Sequence, residues 1–124
     1  MRAADVAEKV TRERPELLRP YKKELLGLLA ETPVKEMRWH LAAIVPRLAL
    51  NPKERLSAVA SLEGYLMDDS SIVKTFALEG LAELSVNDPV LRTRVVELLR
   101  KSARSGTAAM KARSRILLKQ WDKG

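Results

Sequence analysis

The chain of 124 residues has no cysteine, so neither a disulfide nor thiolate chemistry is open to it. His40 is its only histidine, which excludes a multi-histidine metal site or a histidine–cysteine pair within one chain. Aromatic residues are scarce: one Phe, two Tyr and two Trp. A core must therefore come from Leu, Val, Ala, Ile and Met, side chains that suit helix-on-helix packing. None of the five glycines stands in a Gly-rich phosphate loop. Gly27, Gly64 and Gly80 fall inside expected helices and read as points of close helix contact. No stretch approaches the roughly 20 apolar residues needed to span a bilayer. The opening Met1-Arg2-Ala3-Ala4-Asp5 carries no apolar signal core. The expected compartment is a bacterial-type cytoplasm, with no membrane partner. Serines stand without a neighbouring base, and Asp68-Asp69 precede a helix, where carboxylates cap exposed amides rather than catalyse. No catalytic residue, metal or cofactor is expected.

What the sequence does contain is a repeat. Pro15, Pro52 and Pro89 stand 37 residues apart, and each opens a similar pattern of two amphipathic helices. The first unit spans 15–50. Its first helix, about 15–31, carries Leu17, Leu18, Tyr21, Leu25, Leu28 and Leu29 at helical spacing. Its second, about 34–50, carries Met37, Leu41, Ile44, Val45 and Leu48. The second unit spans 52–87, with helices 52–67 and 71–87. The third spans 89–122, with helices 89–104 and 107–122. Asn51-Pro52 followed by Glu54 reads as a capping box, and Asp88-Pro89 repeats the cap. Gly106 stops one helix and Thr107 caps the next. A charged helix over 2–13 precedes the repeats. No alternating strand pattern occurs.

The second helices align residue by residue. Met37, Val73 and Met110 share one position, followed by Arg38, Lys74 and Lys111, then Leu41, Ala77 and Ser114. Val45, Leu81 and Leu118 share another, and Leu48, Leu84 and Trp121 a third. Among the first helices, Leu25, Leu62 and Leu99 correspond. Trp121 is thereby expected in the core, and His40, equivalent to Phe76, is expected to be packed.

These features resemble a HEAT-repeat protein. The closest stretch is Asp68-Asp69-Ser70-Ser71-Ile72-Val73-Lys74-Thr75-Phe76-Ala77-Leu78, in which Asp68, Val73, Lys74, Ala77 and Leu78 fit the family pattern. The other two units match through Met37-Arg38 and Met110-Lys111 and lack the turn Asp. A helix-interior proline, here Pro46, is also familiar in the family, although it falls in the second helix of its pair. The resemblance covers about 15–122. It implies an all-α solenoid of three antiparallel helix pairs behind one N-terminal helix, about seven helices in a single domain over 1–124. It also implies a scaffold or adaptor. Some HEAT-like proteins excise alkylated DNA bases, but this chain has no acid flanked by Trp and Tyr with which to do so.

In a HEAT stack the second helices line the concave surface. Trp39 projects about 200° around its helix from the buried Met37. It would stand on that surface with Arg47, Thr75, Glu79, Ile116 and Lys119, and Trp beside Arg suits a protein partner. The primary expectation is non-catalytic protein binding there, by a monomer or weak homo-oligomer. A second reading rests on charge. Residues 1–88 hold 13 Lys+Arg against 14 Asp+Glu, and residues 89–124 hold 10 against 2, so the whole basic excess belongs to the last unit. Arg100, Lys101, Arg104, Lys111, Arg115 and Lys119 form a candidate anion-binding surface for weak, sequence-nonspecific nucleic-acid contact. The bland alternative is a polar cap on the end of the stack, where Arg113 and Arg115 replace Phe76 and Leu78.

Overall fold

The computed structural model describes residue 9 and residues 12–122. The chain is all-α, with no strand among the described residues. From residue 22 on, six α-helices follow one another among the described residues: α1 (Lys22–Glu31), α2 (Lys35–Ile44), α3 (Pro52–Tyr65), α4 (Ser71–Leu84), α5 (Pro89–Ser105) and α6 (Ala108–Asp122). Two 3-10 segments, Pro15–Tyr21 and Val45–Arg47, stand before α1 and after α2. The expected helix over 2–13 lies mostly outside the described residues, of which residues 9, 12 and 13 are helical.

The expected helices 52–67 and 71–87 end two and three residues early, at Tyr65 and Leu84, and the two larger departures trace to proline. The continuous helix expected over 15–31 is divided at Tyr21, because Pro20 inside it has no N–H to donate and crowds the preceding turn. A 3-10 path advances the side chains by a third of a turn per residue. Leu17 and Tyr21 therefore stay exposed, and Leu29 is the buried anchor of α1. Pro46 acts the same way on the second helix. α2 ends at Ile44, tightens into Val45–Arg47 and leaves Leu48 extended.

The caps follow the sequence. Asn51 Oδ1 accepts from Glu54 N at 2.8 Å, while Glu54 Oε1 accepts from Asn51 N at 2.9 Å, closing the box. Asp88 Oδ1 accepts from Leu91 N, and Thr107 Oγ1 from Met110 N. At α4 the cap is Ser70, whose Oγ accepts from Val73 N. Asp68 acts two residues earlier, accepting the Ser70 amide at 2.8 Å.

Sequential helices pack in pairs, α1 on α2, α3 on α4 and α5 on α6. Across pairs, α2 packs on α4, α4 on α6, and α1 on α3. Helix α4 is the hub and the most apolar element, burying Val73, Ala77, Leu78, Leu81 and Ala82. The positions aligned from the sequence share their burial: Leu41, Ala77 and Ser114 are all sealed, as are Val45 and Leu81. Leu62 and Leu99 are sealed too, while Leu118 and Trp121 pack half-buried against the core. His40 is buried, with its ring stacked on Trp39 at 3.7 Å.

The first two pairs are clasped by Arg38. Its Nε donates to Thr32 O at 2.9 Å, its Nη1 donates to Asp68 Oδ2, and its guanidinium lies over the Tyr65 ring. The Tyr65 hydroxyl in turn donates to Leu29 O, and its burial raises the phenol to about 12.

The three helix glycines differ. A Cβ at Gly80 would lie 3.0 Å from Ala42 O and 3.1 Å from both Leu62 Cδ1 and Pro46 Cγ, so this glycine does permit the close approach of α4 to α2. Gly27 and Gly64 face open space, contrary to the expectation. Gly27→Ala should therefore stabilise the protein by about 0.5–1 kcal/mol through helix propensity alone. Gly80→Ala should destabilise it by roughly 1–3 kcal/mol, because the crowded neighbour is backbone. Urea titration of both variants checks the pair, and a stabilising Gly80→Ala would refute this packing.

Candidate functional site

The second helices α2, α4 and α6 lie side by side and share one exposed seam. The short side chains Ala42 and Ala43 on α2 and the absent side chain of Gly80 on α4 leave a depression of about 200 Å³ along it. Phe76 forms part of its wall, and four charges line it: Arg47, Glu79, Glu83 and Arg113. Arg113 Nη1 stands 3.9 Å from Glu79 Oε1, with both side chains 41% exposed. At that exposure and distance the pair adds little stability, about 0–1 kcal/mol. Glu83 is exposed at the edge of the groove, and partial desolvation there raises its carboxyl above the usual range; Arg47 opposes the shift and Glu79 adds to it. The groove thus carries both signs of charge beside an aromatic wall.

Of the residues expected on the concave face, Arg47 and Glu79 meet in this groove. Trp39 is half-buried and packed against the core, 5.2 Å from Phe76 and stacked on His40, so it backs the groove wall instead of standing free. Thr75 is half-buried, its hydroxyl donating to Ser71 O at 2.7 Å. Ile116 and Lys119 are exposed on α6 and do not line the groove. Arg113, expected as part of an end cap, faces Glu79 instead. The sequence carried one usable sign of this: a charged residue at the Phe76 position of the last unit puts a cation across from Glu79.

The basic residues divide cleanly. Arg92 lies over the Trp121 ring at 4.7 Å, Arg94 pairs with Glu63, and Arg113 approaches Glu79. Arg100, Lys101, Arg104, Lys111, Arg115 and Lys119 make no ion pair among the described residues. Lys111 is half-buried and the other five are exposed. No helix among the described residues is long and apolar enough to cross a membrane, and no cluster of three or more metal-ligating side chains forms among them.

The chain was compared with protein-family models, curated proteins and solved structures. It matches none of them at a significant level.

The Glu83 environment gives a prediction with a definite sign. A carboxyl whose folded-state pKa is raised holds its proton more tightly in the native state. The associated stability is present below the unfolded pKa and is lost as pH rises through the folded one. Glu83→Gln should therefore raise stability at pH 7, with the gain fading near the unfolded carboxyl value of about 4.3. Urea midpoints at pH 7 and at pH 4 check this. Equal shifts at both would show a carboxyl as well solvated folded as unfolded.

Proposed function

We propose that the chain is a short HEAT-like α-solenoid of three helix pairs that serves as a non-catalytic scaffold or adaptor, binding another protein through the seam of α2, α4 and α6. The repeat of buried positions and the second-helix packing, α2 on α4 on α6, support the solenoid reading. One observation carries the binding reading: the groove sets Arg47, Glu79, Glu83 and Arg113 around the Phe76 wall. Charges of both signs give register and partner discrimination when a complementary surface covers them. A groove of mixed sign is also poorly suited to a uniform polyanion.

A second reading has its own support in the six cations of the last unit that make no ion pair among the described residues. Their field is available to phosphates. Nothing in the sequence is built to read base edges, so such contact would be sequence-nonspecific. The first reading is preferred because the near-neutral remainder of the chain provides no track for a long polymer.

Affinity capture with mass spectrometry, with and without nuclease, separates the two when run beside a groove variant, Arg47→Glu with Arg113→Glu. The adaptor reading expects nuclease-resistant protein partners that the variant loses. Partners that vanish on nuclease treatment and persist in the variant would favour the basic surface. Nuclease-resistant partners retained by the variant would overturn the groove as the binding face.

A further inference from the structure

The two junctions between helix pairs share a hydroxyl cap and a cation, but at the second Ser105 stands for Asp68, Lys74 for Arg38 and Ser102 for Tyr65. At the first, Ser70 caps α4 by accepting from Val73 N at 3.3 Å. Two residues earlier, Asp68 takes the Ser70 amide on one oxygen and the Arg38 guanidinium on the other. At the second, Thr107 caps α6 by accepting from Met110 N at 3.3 Å. Two residues earlier stands Ser105, whose hydroxyl is turned back to Lys101 O at 3.0 Å. The cation is kept. Arg38 is the fourth residue after Val34, the N-cap of α2, and Lys74 is the fourth after Ser70, the N-cap of α4. The acid that would answer Lys74 is absent, and Lys74 makes no ion pair among the described residues.

Where that acid would lie there is a cavity of about 440 Å³. Lys74, Lys101, Ser102, Gly106, Thr107 and Met110 line it. Glu63 is also on its wall, but its carboxylate is held by Arg94 outside the lining. Ser102 is only 9% exposed, yet its hydroxyl makes no hydrogen bond among the described residues. Gly106 lets the end of α5 and the start of α6 approach closely beside it: a Cβ there would lie 2.6 Å from Ser102 O and 2.8 Å from Met110 Cβ. Thr107 Oγ1 also lies 2.6 Å from Ser71 Oγ, which brings the first turn of α6 against that of α4. The early amides of a helix have no intrahelical acceptor, and its N-terminal dipole favours negative charge.

We infer that this cavity binds a small oxyanion, a carboxylate or a phosphate, in the place that Asp68 fills at the first junction. Lys74 and Lys101 supply the charge, the Ser102 hydroxyl donates the hydrogen bond it otherwise lacks, and the N-terminal dipole of α6 favours an anion there. The fold itself shows the chemistry of the occupant, since at the equivalent point it uses a carboxylate of its own. The inference does not depend on the α2–α4–α6 groove, which lies elsewhere on the molecule's charged surface and shares no lining residue with this cavity.

Backbone amide NMR titrations of the full chain with sodium phosphate and sodium acetate, each against sodium chloride at equal ionic strength, test it. Saturable shifts confined to residues 102–111 are expected with at least one oxyanion, and the two arms identify which. Lys74→Gln should weaken that binding about tenfold, as loss of one charge-assisted hydrogen bond does. Ser105→Asp restores the missing acid, so it should abolish the shifts and raise the melting temperature. Shifts that follow ionic strength alike in all three salts would overturn the site. So would oxyanion shifts that persist unchanged in Lys74→Gln and Ser105→Asp; the second variant decides the matter if the first fails to fold.

Discussion

The guanidinium of Arg38 is the constraint on which the arrangement of the first two helix pairs depends. It joins the turn before α2, through Thr32 O, to the turn before α4, through Asp68. Its flat face lies over Tyr65, whose hydroxyl reaches back to Leu29 on α1. Four separate segments are thereby held in one register. The Asp68 side chain is only 5% exposed and Arg38 30%, so the interaction is far less screened than a surface pair. The Ser70 amide, and then Arg38, hold the Asp68 carboxyl below its usual range against the opposing effect of burial. A planar donor with several N–H groups is needed to serve a carbonyl and a carboxylate together; lysine at the equivalent position of α4 offers only a point charge.

That register is what brings the groove and the cavity into being. With α2 and α4 fixed, Gly80 sits against Ala42 and Pro46, and the shallow groove opens beyond them. The groove depends on what is small, Ala42, Ala43 and Gly80, as much as on the charges that line it. At the other junction the same register, without its acid, leaves a space that favours negative charge. The molecule therefore uses one construction twice, first to lock helices together and then to leave an opening.

Much of this was legible in the sequence. The proline period, the caps at Asn51, Asp88 and Thr107, and the aligned Leu41, Ala77 and Ser114 follow from local chemistry and helical period, and the structure keeps them. The helix expected over 15–31 follows the apolar spacing around Pro20, while the ring removes a hydrogen bond that spacing does not record. Leu17, Tyr21 and Leu28 then proved exposed. Gly27, Gly64 and Gly80 look alike in one dimension; only the approach of Ala42 O distinguishes the last. Trp39 was placed on the outer face by its angle, but Phe76 and the His40 ring draw it against the core. The Arg38–Asp68 pair is separated by 30 residues, and no local signal announces it.

The charge of the last unit looks different once its partners are known. Arg92, Arg94 and Arg113 are occupied by a ring and two carboxylates, which leaves six cations of the last unit without an ion pair among the described residues. The most direct measurement on the account as a whole is a double-mutant cycle at the clasp, Arg38→Met and Asp68→Asn, singly and together, by urea titration at neutral pH. The account predicts a coupling of about 1–3 kcal/mol, the range for a charged hydrogen bond away from full solvent. A coupling within about 0.5 kcal/mol of zero would mean that the two side chains act independently, and the clasp could not then be what aligns the helix pairs.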